Sequence, residues 1–243
     1  MRIPRLYQQL KPRLGETLEL DQRASKHIVQ VLRMQAGQPL VIFDGEGACW
    51  QASLLIADKR AAAVEINKPL EQESESPLSI HLGLGISKGE RMDYAIQKAV
   101  ELGVNEITPL FTQYTMVKLD TQRQHKRLQH WQGIMISACE QCGRNVLPGL
   151  HQPVDVDTWL NRVNTETRLV LEPSADLTLA SIIQPGQAVT LLIGPEGGLN
   201  DTEITTALEN GFQAVQLGPR ILRTETAVVA ALAALQISWG DLK

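Results

Sequence analysis

The spacing of apolar residues changes character near residue 70. Before it, the apolar runs are short and turn-separated: 39–43, 48–56 and 61–66 read as strands. Asp44-Gly45-Glu46-Gly47 supplies a hairpin turn between the first two. A helix from about 22 to 33 precedes them, with Asp21 as its cap and Ala24, Ile28, Val31 and Leu32 on one face. This pattern predicts a small β-rich domain over residues 1–70. The acidic, Ser-containing stretch between Pro69 and Pro77 reads as a linker, placed at 71–77.

In residues 78–243 strand and helix patterns alternate. Leu78 to Leu84 reads as a strand. Met92, Ala95, Ile96, Ala99 and Val100 then fall at helical spacing between Gly89 and Leu102, with Gly103 to close the helix. Val104 to Phe111 is the next strand. A helix from about 121 to 141 and a short one after Asp157 follow. Leu169-Val170-Leu171, 189–193 and 214–217 read as strands, with helices after Asp201 (its cap, with Glu203 in the first turn) and after Thr224. This alternation predicts an α/β domain with a mostly parallel sheet.

Two of these strands lead into glycine-bearing turns, Ile193-Gly194-Pro195-Glu196-Gly197-Gly198 and Leu217-Gly218-Pro219-Arg220-Ile221-Leu222-Arg223-Thr224-Glu225-Thr226-Ala227. Gly-Pro and Gly-Gly alone are turn punctuation. Two such loops, the second dense in polar residues before a strongly apolar helix, point further. If their strands are adjacent and parallel, the loops border a ligand crevice. Glycines there let backbone N–H and C=O groups approach a ligand.

Composition removes several other classes. A chain of 243 residues with net charge −4 is not a uniformly basic nucleic-acid binder. Charge is nevertheless uneven: residues 1–33 carry seven Lys/Arg against three Asp/Glu, and residues 151–243 carry five against eleven. A local basic face on an acidic protein is compatible with that. No apolar run is long enough to span a bilayer, and the opening residues lack the core of a signal peptide, so a cytoplasmic protein is expected. Cys139-Glu140-Gln141-Cys142 is formally C-x-x-C, but it ends a helical pattern, and no second cysteine pair completes a zinc site; no metal is expected. Gly83-Leu84-Gly85-Ile86-Ser87-Lys88-Gly89 has neither dinucleotide-fold nor P-loop spacing.

The two glycine turns together resemble the signature of the RsmE family, 16S ribosomal RNA (uracil-N3)-methyltransferases of the SPOUT class. Ser87-Lys88-Gly89-Glu90-Arg91-Met92 through Glu101-Leu102-Gly103, Ala138-Cys139-Glu140-Gln141-Cys142-Gly143-Arg144, Arg2-Ile3-Pro4-Arg5 and Val31-Leu32-Arg33 agree with it, so the resemblance covers the whole chain. It implies a PUA-like RNA-binding domain, then an α/β domain closed by a deep trefoil knot. It also implies S-adenosylmethionine as cofactor, S-adenosylhomocysteine as product, N3 of one uridine of 16S rRNA (family target uridine 1498) as acceptor, and a homodimer with no membrane partner. The cofactor would be held by Leu171, Glu172, Pro173, Ile193, Gly194, Pro195, Glu196, Gly197, Gly198, Leu217, Gly218, Ile221, Leu222, Arg223, Thr226 and Ala227.

Uracil N3 must lose a proton before or during attack. Glu140 and Glu225 are candidate proton acceptors. Arg144 and Arg223 are candidates for stabilising the uracil anion. Each of the four reads equally as a structural ion pair. Arg2, Arg5, Arg33, Lys88, Arg91 and Lys98 would neutralise RNA phosphates. The competing readings are a non-catalytic RNA-binding protein that kept the fold and a C-x-x-C oxidoreductase.

Overall fold

Leu40 and Ile42, Ala52 and Leu54, and Val64 and Ile66 occupy alternate positions on three strands and meet in one core, because a pleated strand shows every second side chain to the same face. These strands belong to the first of two units into which the chain divides, Met1–Glu75 with Cys139–Leu147, and Ser76–Ala138 with Pro148–Lys243. The structure is a computed structural model, and it describes residues 3–115, 121–182 and 186–242. Arg2 therefore lies outside the described residues.

The first unit contains β1 (Arg5–Tyr7), β2 (Thr17–Glu19), α1 (Gln22–Lys26), β3 (Pro39–Phe43), β4 (Cys49–Ile56) and β5 (Ala63–Leu70), in the sheet order β1-β3-β4-β5-β2. β1 runs parallel to β3, and the other pairs are antiparallel. β1 and β2 have three residues each, too few to display a period of two. Asp21 caps α1, its Oδ1 accepting from the Ala24 N–H at 2.7 Å. The expected helix over 22–33 does not continue as one α-helix: His27–Val31 is a π turn, with the Leu32 N–H bonded to the His27 carbonyl. The wider turn shifts the face, so Ala24 and Ile28 are buried while Val31 and Leu32 are exposed.

The second unit holds β6 (Ser79–Gly85), α2 (Glu90–Glu101), β7 (Glu106–Phe111), β8 (Gly149–Leu150), β9 (Val154–Asp155), α4 (Val156–Leu160), β10 (Thr167–Leu171), β11 (Leu177–Thr178), β12 (Ala188–Ile193), α5 (Asp201–Glu209), β13 (Gln213–Gln216) and α6 (Thr224–Trp239). α3 (Thr121–Cys142) contributes its residues through Ala138 here and its last turn to the first unit. The strand order is β11-β13-β10-β12-β6-β7-β8, with β9 also beside β7, and every pair is parallel. The α/β reading therefore holds, with a preceding β-rich unit.

Two local expectations change. β12 and β13 are not neighbours, because β10 lies between them and pairs with both. Asn200, not Asp201, caps α5: its side chain accepts from the Glu203 N–H at 2.7 Å, and Glu203 returns the bond to the Asn200 N–H at 2.8 Å. This reciprocal pair satisfies two helix-end donors, which a cap at Asp201 would leave open. The buried Glu203 also accepts from the Gln113 N–H at 2.7 Å, fixing the loop after β7 to the start of α5. Trp159, Leu160, Val170, Leu192, Ala207 and Phe212 form a core between the sheet and α4 and α5, while α6 packs along α2.

Candidate active site

Parallel pairing brings the carboxyl ends of β10, β12 and β13 to one side, and the segments after them line a single cavity of about 540 Å³. Leu171, Glu172 and Pro173 line it after β10, and Ile193, Gly194, Pro195, Glu196, Gly197 and Gly198 after β12. Leu217, Gly218, Ile221, Leu222, Arg223 and Ala227 complete the set after β13. Thr226 is not in the lining. Arg91, Leu199, Val215, Gln216, Arg220 and Thr224 also border the cavity and were missed as pocket residues. Arg91 is also an expected RNA contact; Val215 and Gln216 carry no chemical signal and join only because the strand ends there.

The first bend is held by close backbone approach. The Gly198 N–H donates to the Pro195 carbonyl at 2.9 Å. A Cβ on Gly194 would lie 2.8 Å from the backbone carbon of Gly198, so the turn closes only around a glycine. Gly85, at the end of β6, buttresses the bend from outside: a Cβ there would stand 2.4 Å from Pro195 N. The second bend differs. Gly218 has φ +112°, a region side chains avoid, and a Cβ on it would meet nothing within 4 Å. Gly198 has the same open space beside it. Backbone groups at these two glycines therefore face room for a ligand.

The Glu196 carboxylate is engaged within the pocket wall. Its Oε1 accepts from the Lys88 N–H at 3.0 Å and from Arg91 Nη1 at 3.2 Å. Burial alone pushes this carboxyl up, but the backbone N–H bonds and the Arg91 guanidinium outweigh it and hold the group below the ordinary glutamate range. Arg223 is exposed on the cavity side at the N-cap of α6. Glu225, in the first turn of the same helix, does not line the cavity, and its Oε2 is buried with no hydrogen-bond partner among the described residues.

The other sequence candidates sit in different settings. Arg144 is buried in the first unit, with Nε 3.1 Å and Nη2 2.5 Å from Glu75 Oε2. Glu140 accepts from the Tyr7 N–H at 3.2 Å and from Arg23 Nη2 at 3.0 Å, tying β1 and α1 to the end of α3. Arg5 is buried too: it donates to Gln72 Oε1 at 3.0 Å and to Asn145 Oδ1, and lies over the Phe43 ring. These three are internal ties of that unit, and none lines the cavity. Arg33 is exposed at φ +52°. Lys88 is exposed at the foot of the Glu196 contact, and Lys98 pairs with Glu101 at 2.8 Å. Burial pushes the Cys139 thiol up to about 12, the reverse of what a reactive C-x-x-C pair requires.

An RNA methyltransferase domain family matches residues 74–236, and an RNA methyltransferase PUA domain family matches residues 20–67. A ribosomal RNA small subunit methyltransferase E from Buchnera aphidicola subsp. Schizaphis graminum is 42% identical over 99% of this chain and 98% of its own. The protein of the same name from Bacillus subtilis is 30% identical over 86% of this chain and 85% of its own. Among solved structures, a ribosomal RNA small subunit methyltransferase E from Neisseria gonorrhoeae bound to S-adenosyl methionine superposes with TM-score 0.93 at 40% identity, covering both chains fully. A putative methyltransferase from Legionella pneumophila in complex with SAM superposes with TM-score 0.96 at 44% identity, again over both full chains.

Proposed function

From the premise that the chain belongs to the ribosomal RNA small subunit methyltransferase E family, with a SPOUT-type α/β unit and a PUA-type unit, we propose that it methylates N3 of one uridine in 16S rRNA, the family target uridine 1498. The observation that carries this reading is the single cavity formed where β10, β12 and β13 end. Its volume lies within the ~300–1,000 Å³ common for small-ligand sites. Its walls are apolar at Leu171, Ile193, Leu217 and Leu222, and its backbone is open at Gly198 and Gly218. That donor set suits a nucleoside carrying a charged tail. When bound, S-adenosylmethionine supplies an electrophilic methyl group on a positively charged sulfur.

The chain's own part is to hold both reactants and to manage one proton. Apolar walls and open backbone groups fix the nucleoside. Glu196, kept ionised by Lys88 N–H and Arg91, provides negative charge in the cavity wall. Arg223 faces the cavity and stabilises the negative charge that develops on the uracil carbonyls as N3 loses its proton. Glu225, in the first turn of α6 and outside the cavity lining, is the candidate acceptor of that proton. Arg33 on the first unit, and Lys88, Arg91 and Lys98 on the second, are the candidate phosphate contacts. Arg144, Glu140 and Arg5 act indirectly, by fixing the first unit.

Two further readings belong to this proposal. The first is a homodimer: α6 is apolar on nearly all sides, yet its Ile237 is 60% exposed, and Ile221, in the loop before it, is 87% exposed. The second is a cytoplasmic location, the compartment of ribosome assembly; no described helix is long and apolar enough to cross a membrane. The test is mass mapping of small-subunit RNA from cells lacking the protein. One uridine methyl is expected to disappear, to return with the parent gene and to stay absent with Arg223→Ala. An unchanged methyl map overturns the assignment.

A further inference from the structure

A second cavity, of about 720 Å³, opens toward the amino-terminal ends of the same strands, and it shares no lining residue with the first. Thr190, His81, Glu106 and Gly149 stand directly opposite one another across β12, β6, β7 and β8. In-register positions on parallel strands present their side chains to one face. His151, two residues beyond Gly149, returns to that face.

The polar side chains of this face converge. His151 Nε2 is 2.7 Å from Glu106 Oε2, and His81 Nε2 is 2.8 Å from Thr108 Oγ1. The two imidazole centroids are 5.4 Å apart. One donor atom from each of His81, Glu106 and His151 lies within 4.8 Å of the other two.

We propose that His81, Glu106 and His151 form a binding site for one divalent first-row transition-metal ion of the zinc type. Two imidazoles and a carboxylate suit zinc, cobalt or nickel, whereas magnesium and calcium want oxygen donors throughout. Tetrahedral zinc, with bonds of about 2.0–2.1 Å, separates its donors by roughly 3.3 Å. The His151–Glu106 contact therefore opens by about 0.6 Å and the longest separation closes by at most about 1.5 Å, which two exposed side chains permit. Thr108 bonds the His81 ring, the arrangement that orients a ligand histidine. Three protein donors leave a fourth position open to the cavity. The ion would clip the two-residue β8 and the segment after it to β6 and β7. Motif reading could not find this site, because its ligands stand at positions 81, 106 and 151 and only strand register unites them.

The test uses tag-free, full-length protein titrated with cobalt(II) chloride and followed by visible absorption. One saturable cobalt band per chain is expected, displaced by zinc sulfate and untouched by magnesium chloride. His151→Ala and Glu106→Gln, both at exposed side chains, are each expected to weaken cobalt binding by at least about tenfold. Zinc is expected to raise the thermal midpoint of the parent and of neither variant. No saturable band, or equal affinity in parent and variants, overturns the proposal.

Discussion

Gly85 tests whether the first bend is held in place from behind. It does not line the cavity, yet a Cβ on it would stand 2.4 Å from Pro195 N and Cδ and 2.8 Å from the Gly194 carbonyl carbon. Ordinary contact begins at 3.4 Å, so Gly85→Ala drives the Gly194–Pro195 backbone back by about 1 Å. Backbone cannot swing aside as a side chain tip can. Overpacking of this kind costs about 1–3 kcal/mol, or a thermal midpoint lower by about 2–4 °C per kcal/mol in a chain of this size. A misplacement of about 1 Å in a binding element costs up to about 100-fold, so S-adenosylmethionine affinity by calorimetry should fall by about 10- to 100-fold. Gly83→Ala is the control on the same strand. Its Cβ would be 2.3 Å from the Trp159 ring, which belongs to the other cavity. It should lower the midpoint and leave cofactor affinity near the parental value. Unchanged affinity in Gly85→Ala, or equal loss in both variants, refutes the buttress.

Gly218→Val fills open space at a φ of +112°, so it should weaken cofactor binding by at least about tenfold, the strain of a positive φ alone being about 1–3 kcal/mol; calorimetry reads it. Arg144→Ala removes a charged pair with Glu75 and should destabilise by roughly 1.5–3 kcal/mol, seen in thermal unfolding, with cofactor affinity unchanged. Glu196 has a depressed folded-state pKa, so its contribution to stability is complete above the unfolded value of 4.5 and is lost as pH falls through the lower folded value. Glu196→Gln should flatten that part of the acid limb in midpoint-versus-pH curves. With its thiol pushed up to about 12 and its side chain buried, Cys139 should resist a thiol reagent at neutral pH that labels Cys142, as peptide mapping would show.

Much of the second unit was legible because its signals are local. The spacing of Met92, Ala95, Ile96, Ala99 and Val100 marks a buried helix face whatever surrounds it, and those five residues are buried. Gly103, at φ +80°, closes that helix because residues with a Cβ avoid that conformation. Short elements were harder. β1 and β2 exist because β3 and β5 offer them partners, and three residues carry too little pattern to show it. The cap of α5 was displaced by one residue because Asn200 and Asp201 are both competent caps. The choice depended on Glu203 reaching back while also holding Gln113.

The sequence alone determined the strand–helix alternation, the two glycine bends and the polar run between Gly218 and Ala227, because backbone freedom and periodicity are properties of neighbouring residues. Only the tertiary structure decided which charged side chains are tied to distant partners. Arg5, Glu140 and Arg144 look as free in the sequence as Arg223 does, but Gln72, Arg23 and Glu75 engage them from distant positions. Tertiary structure also set β10 between β12 and β13, so that the segments after all three strands line one cavity. It gathered His81, Glu106 and His151 as well, since side chains far apart along the chain meet only when strand register fixes their face and their level.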